Sequence, residues 1–158
     1  MPIPQAHYVL KGLAMGQRRF LHGIDCTPDD RLNWSPGEAD KTPLAVAGRL
    51  GGFLTFAAHM LRHREIPNRE GAPEPPPATR AEARSAIESA FSAARQAVEN
   101  LEEEHLKVSV PAPWGETTLE EMLWWLNGLV LYHQGQLNYI QLCYGDKDPN
   151  IPKGWGAY

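Results

Sequence analysis

His133 is the side chain in this sequence with the widest chemical range. It lies in Tyr132-His133-Gln134-Gly135-Gln136-Leu137, inside the most apolar stretch, Leu119 to Cys143. An imidazole on an inward helix face can ligate a metal, move a proton, or simply hydrogen-bond within a core. Position 129, four residues earlier on the same face, is Leu and supplies no second ligand; the core role therefore carries the most weight. Arg49 is the second candidate, on a stripe with Val46, Phe53, Phe56, Met60 and His63. A lone buried charge is expensive, so Arg49 needs a core carboxylate, a route to solvent, or an anionic ligand. Gln17 and Gln136 can line the same space or satisfy backbone groups. His59 and His63 stand four apart, a spacing that puts two imidazoles on one helix face, and His133 completes a triad in principle. At a helix C-terminus the plainer role of His63 and Arg64 is to complement the dipole.

Other chemistries find no support. Cys26 and Cys143 form no CxxC or zinc-finger spacing and have no evident activating partner. There is no GxSxG, no P-loop and no GxGxxG. The formal charge of −4 argues against nucleic acid as a partner. The polar residues within Leu119–Cys143 argue against a membrane span. The first residues carry no basic n-region ahead of an apolar one, so no signal peptide is expected. With two isolated cysteines, this leads to the expectation of a cytoplasmic protein.

Helical periodicity predicts four helices to position these side chains, at about 5–24, 43–64, 80–104 and 118–144, in one domain spanning 1–158. The first carries Leu10, Leu13, Gln17, Phe20 and Ile24 and is expected to end near Gly23. The second opens at Thr42-Pro43, a good cap followed by a proline at the first helical position. Gly48, Gly51 and Gly52 in that helix imply close approach by another backbone or a ligand. The long connection from His63 to Ala78 holds three consecutive prolines, which favour an extended path. It is long enough to cross the bundle and set helices two and three parallel. The third helix opens with a capping box, Thr79 to Glu82, and buries Ile87, Phe91, Ala94, Val98 and Leu101. Val108 to Gly115 suits a short extended stretch. The fourth turns Leu119, Met122, Leu126, Leu129, His133, Leu137, Ile140 and Tyr144 inward, and Gly145 stops it. With helices two and four antiparallel, His133 is expected between the levels of Arg49 and His59. Trp124 and Trp125 cannot both face one core line, so an aromatic patch is expected at a margin. A homodimer is the expected occupant, with coverage by the C-terminal Trp155 and Tyr158 as the alternative.

Three features together resemble the DinB/YfiT-like superfamily. They are the His133-Gln134-Gly135-Gln136 element late in helix four, the Leu32-Asn33-Trp34-Ser35-Pro36 loop before helix two, and the long connection between helices two and three. The resemblance implies an up-down-down-up four-helix bundle of the all-α class, often dimeric. It also implies a divalent metal (Zn, Ni or Fe) held by one histidine of helix two and an H-x-x-x-H pair of helix four. His133 matches the last ligand, whereas the other helix-four position falls on Leu129 and the helix-two position on Arg49. Leucine cannot coordinate and arginine does not do so in practice. The expectation is therefore a member with a degenerate metal site and no cofactor, a dimeric small-molecule-binding or stress-associated module. Its pocket would comprise Arg49, Leu129, His133, Gln136 and Gln17. The ligand is an unknown small molecule, for which Arg49 makes an anion the attractive choice. The alternative is a metal-dependent enzyme of thiol transferase, isomerase or hydrolase type with replacement ligands such as His59 and His63.

Overall fold

The computed structural model describes residues 3–37, 41–68, 75–112 and 114–155. Four long helices form the body: α1 (Pro4–Cys26), α2 (Pro43–His63), α3 (Arg80–Glu99) and α4 (Leu119–Cys143). A two-stranded antiparallel hairpin, β1 (Ser109–Ala112) with β2 (Gly115–Thr118), precedes α4. Threonines start three of the helices. Thr42 accepts from the Ala45 amide, Thr79 from Glu82 and Thr118 from Glu121. At α4 the capping box is complete, because the Glu121 carboxylate also accepts from the Thr118 amide at 2.7 Å. At α3 the returning Glu82 carboxylate reaches one residue further back, to the Ala78 amide at 2.8 Å. Glycine, free to adopt φ +99°, stops α4 at Gly145.

Neighbouring pairs fix the topology. Gly12, Gly16 and Gly23 of α1 meet Asn127, Val130 and Leu137 of α4 in ascending order, so these helices run parallel. Gln17 pairs with Arg95 and Asp25 with Arg84, so α1 and α3 are antiparallel. Gly48 lies against Pro76 and Pro77 just before α3, and Arg62 reaches the Ala93 carbonyl, so α2 and α3 are parallel. This is the expected up-down-down-up bundle. The core runs through all four helices, with Phe20, Leu50, Phe91 and Leu126 fully buried.

Several local expectations need correction. Helix α1 runs through Gly23 to Cys26, because Gly23 is a buried contact point, with Leu137 Cδ2 only 3.0 Å from where a Cβ would sit. Helix α3 ends at Glu99, not 104, where Asn100 caps the Gln96 carbonyl. The extended stretch expected over Val108–Gly115 is present as β1, with Pro113 outside the described residues. The buried side of α2 includes Val46, Leu50, Leu54, Ala57 and Leu61, which turns Arg49 and His63 to solvent. A helix packed against both α3 and α4 is apolar over much of its circumference, so its pattern fixes the inward direction poorly. Of the three glycines, Gly48 admits the backbone of Pro76, whose Cα lies 3.3 Å from the place a Cβ would take, whereas Gly52 meets nothing. The middle of the long connection, 69–74, lies outside the described residues.

Candidate functional site

At the α2–α4 seam the charge of Arg49 is felt at the imidazole of His133. His133 is buried, 6 % exposed. Its Nδ1 lies 2.8 Å from the Leu129 carbonyl one turn earlier. A carbonyl oxygen only accepts, so Nδ1 carries the proton and the neutral ring keeps its lone pair on Nε2. Burial holds His133 below the ordinary imidazole range; the Leu129 bond opposes this, and Arg49 reinforces it. The resting site thus pairs a permanent cation with a neutral acceptor.

Leu129 is half-buried and belongs also to an apolar groove of about 410 Å³, which it lines with Trp124, Trp125, Gly128 and Tyr132. The Tyr132 ring stands edge-on to His133, with centroids 5.2 Å apart at 87°. Gln136 follows His133 by less than one turn. Its Oε1 is buried and finds no donor among the described residues. Gln17 is elsewhere: it accepts from the Arg95 guanidinium in the α1–α3 seam. Its neighbour Gly16 is the residue that faces α4, and one step along a helix turns the side chain by about 100°.

The three histidines expected as replacement ligands do not converge. His59 and His63 stack on each other with centroids 4.5 Å apart. They lie ten and fourteen residues beyond Arg49, about 15 and 21 Å along the axis. His59 Nε2 is 3.6 Å from Glu65 Oε1, too long for a hydrogen bond. Among the described residues, only Glu102, Glu104 and His105 bring three possible ligand atoms within 4.8 Å of one another. The two glutamates of that group are exposed, and Arg64 Nη2 sits 2.7 Å from His105 Nε2. Cys26 remains a thiol, since burial raises its pKa and Asp25, Asp146 and Asp148 add to the effect.

The seam residues do not fit a metal ion. Leu129 offers no ligand atom, the positive charge of Arg49 felt at His133 opposes a second cation there, and His133 alone leaves one nitrogen donor.

Pattern reasoning overlooked the glycines of α1. Their signal was the spacing Gly12, Gly16, Gly23 along one face, which is the mark of a close helix approach. It also overlooked Arg80. This side chain donates to the carbonyls of Ile24, Asp25 and Thr27 and to the Asp29 carboxylate, closing the C-terminus of α1. Nothing local in the sequence links Arg80 to a helix end some fifty residues away.

No curated protein matches the chain. The sequence profile of the DinB superfamily matches residues 13–137, which takes in most of α1, all of α2 and α3, and α4 as far as Leu137. The chain belongs to the DinB superfamily.

Proposed function

We propose that this DinB-superfamily protein lacks the three-histidine metal centre that the resemblance implies and uses the same seam to hold a small anionic molecule. The reading is supported by the charge of Arg49 felt at the buried His133, whose helix neighbours Leu129 and Tyr132 line a groove with almost entirely apolar walls. Arg49 supplies a charged, forked donor suited to a carboxylate or phosphate. The groove at Leu129 offers cover for an apolar body. An anion next to Arg49 offsets the positive field at His133 and favours the imidazolium, which then becomes a second donor through Nε2. The ligand class that fits is an amphipathic organic acid.

The test is thermal stabilisation by aromatic and medium-chain aliphatic carboxylates, with the corresponding alcohols as uncharged controls. The carboxylates are expected to raise the melting temperature of the wild type, the alcohols to have little effect, and Arg49→Met to lose the shift. Equal shifts in wild type and Arg49→Met, or none with any acid, would remove the proposal.

A further inference from the structure

The C-terminal end of α2 gathers two imidazoles and a carboxylate away from the α2–α4 seam. His59 and His63 stand one turn apart, with ring centroids 4.5 Å apart and planes tilted by 42°. Helix α2 then ends at Arg64, a non-glycine residue in the left-handed region at φ 59°. That turn reverses the chain and sends the next side chain back along the helix it has just left. Glu65 is that side chain, and its Oε1 comes to 3.6 Å from His59 Nε2. His59 Nε2 is itself buried and has no hydrogen-bond partner among the described residues. A buried ring nitrogen without a partner is uncommon, because the cost of its lost hydration is not recovered.

The spacings are those of ligands around one ion. Zinc holds an imidazole nitrogen at about 2.0–2.1 Å and a carboxylate oxygen at about 2.0–2.2 Å, which sets the two atoms about 3.3–3.5 Å apart at the tetrahedral angle. The observed 3.6 Å is too long for a hydrogen bond and close to that edge. By the same bond lengths, two imidazoles on one tetrahedral ion have ring centres about 5 Å apart; here they are 4.5 Å apart. The three ligand atoms are not yet gathered, so closing on an ion takes side-chain rotation. His63 and Glu65 are both exposed and can make it without disturbing the core. The neighbouring cations are engaged elsewhere. Arg64 Nη2 lies 2.7 Å from His105 Nε2, and Arg62 donates to the Ala93 carbonyl and to Gln96. The last carbonyls of α2 add the negative end of the helix, which favours a bound cation. The group of Glu102, Glu104 and His105 fits less well, because the Arg64 guanidinium already sits against the His105 ring.

We propose that His59, His63 and Glu65 bind one divalent ion of the zinc, nickel or copper class, with a fourth position open to water or to a donor atom of another molecule. Two imidazoles select these ions over magnesium and calcium, which take oxygen ligands. The site is separate from the one proposed for the anion: its histidines lie about 15 and 21 Å along α2 beyond Arg49. His133 takes no part, and Glu65 stands in the place that spacing alone gave to it. An exposed site exchanges its ion with solvent, so it empties during purification without added metal and is read by titration.

Isothermal titration of the dialysed protein with zinc chloride and with nickel chloride is expected to show one saturable site per chain, and magnesium chloride none. His59→Gln and His63→Gln are each expected to lose the site while keeping the wild-type circular dichroism. Glu65→Gln is expected to weaken it by about tenfold or more, since even an outer partner of a metal ligand is worth about 10–100-fold. His133→Gln and His105→Gln are expected to leave it unchanged. In the wild type, substoichiometric copper(II) should broaden the imidazole NMR signals of His59 and His63 before those of the other histidines. The absence of a saturable site at millimolar zinc overturns the proposal. So does a site that survives His59→Gln, or one of wild-type affinity in Glu65→Gln. Loss of the site in His105→Gln alone would assign the ion to the group with Glu102 and Glu104 and equally overturn it.

Discussion

Burial holds the imidazole of His133 on α4 below its ordinary pKa, and the charge of Arg49 on α2 adds to that effect. The direction fixes a pH dependence. Below about pH 6.5, the unfolded chain protonates this histidine while the folded protein does not. The unfolded state then binds more protons, so the contribution of His133 to stability is complete above that pH and is lost as pH falls through the folded-state pKa. Urea denaturation between about pH 7 and pH 5 is expected to show wild type losing more stability than His133→Gln. Identical slopes would mean that His133 is not desolvated as the structure has it.

Anion binding should carry the opposite linkage. An anion beside Arg49 favours the imidazolium, so binding takes up a proton. Calorimetric titration with the best-binding carboxylate, in two buffers of different ionisation enthalpy, is expected to show net proton uptake near neutral pH. Affinity is expected to rise as pH falls from about 8 toward 6, where His133 becomes easier to charge. His133→Gln should bind with no proton linkage, and an affinity in wild type that is flat across this range would contradict the account.

Helix packing gives a prediction of opposite signs for one kind of substitution. A Cβ at Gly16 would overlap Val130 Cγ1, a β-branched side chain with little freedom to move. Overpacking costs about 1–3 kcal/mol, which outweighs the roughly 1 kcal/mol gained when alanine replaces glycine in a helix. Gly16→Ala should destabilise by up to about 2 kcal/mol, whereas Gly52→Ala, which meets nothing, should stabilise by about 0.5–1 kcal/mol. Combining Gly16→Ala with Val130→Ala should recover part of the loss, a coupling that a double-mutant cycle reads directly.

The cap that Arg80 forms on α1 can be tested in the same way. Its guanidinium spans the Ile24, Asp25 and Thr27 carbonyls, with Thr27 at 2.7 Å, and meets Asp29. A compact ammonium cannot serve that spread of acceptors. Arg80→Lys is expected to lose most of the stability lost in Arg80→Ala, about 2 kcal/mol for charge-assisted bonds at a partly solvated site. Full retention by lysine in denaturant unfolding would mean that only the charge matters.

The elements of this fold were legible because their signals are local. Thr42-Pro43, Thr79 with Glu82 and Thr118 with Glu121 mark helix starts within a few residues, and the tertiary structure uses all three caps. The proline-rich connection forecast the parallel pairing of α2 and α3, since a crossover is needed wherever neighbours are not antiparallel. The site was legible only in part. His133 was found and is buried as expected, and the charge of Arg49 is felt at its ring. The exposure of Arg49, and the departure of Gln17 to Arg95, depended on the rotation of α2 and α1 about their own axes. Rotation is decided by which neighbours a helix packs against, and a helix apolar on more than one side leaves that choice open. The α1 glycines illustrate the same limit, because their meaning lies in residues of α4 more than a hundred positions away.

The most direct test of the central claim is metal content. Untagged wild type, purified without chelator, is expected to hold no stoichiometric divalent metal by elemental analysis. Arg49→His combined with Leu129→His supplies an H-x-x-x-H pair on α4 and a third imidazole from α2, with His133 Nδ1 already tied to backbone and Nε2 left to ligate. That variant is expected to take up close to one zinc or nickel per chain. About one metal per wild-type chain, lost in His133→Ala, would contradict the account and move the metal-dependent enzyme to the front.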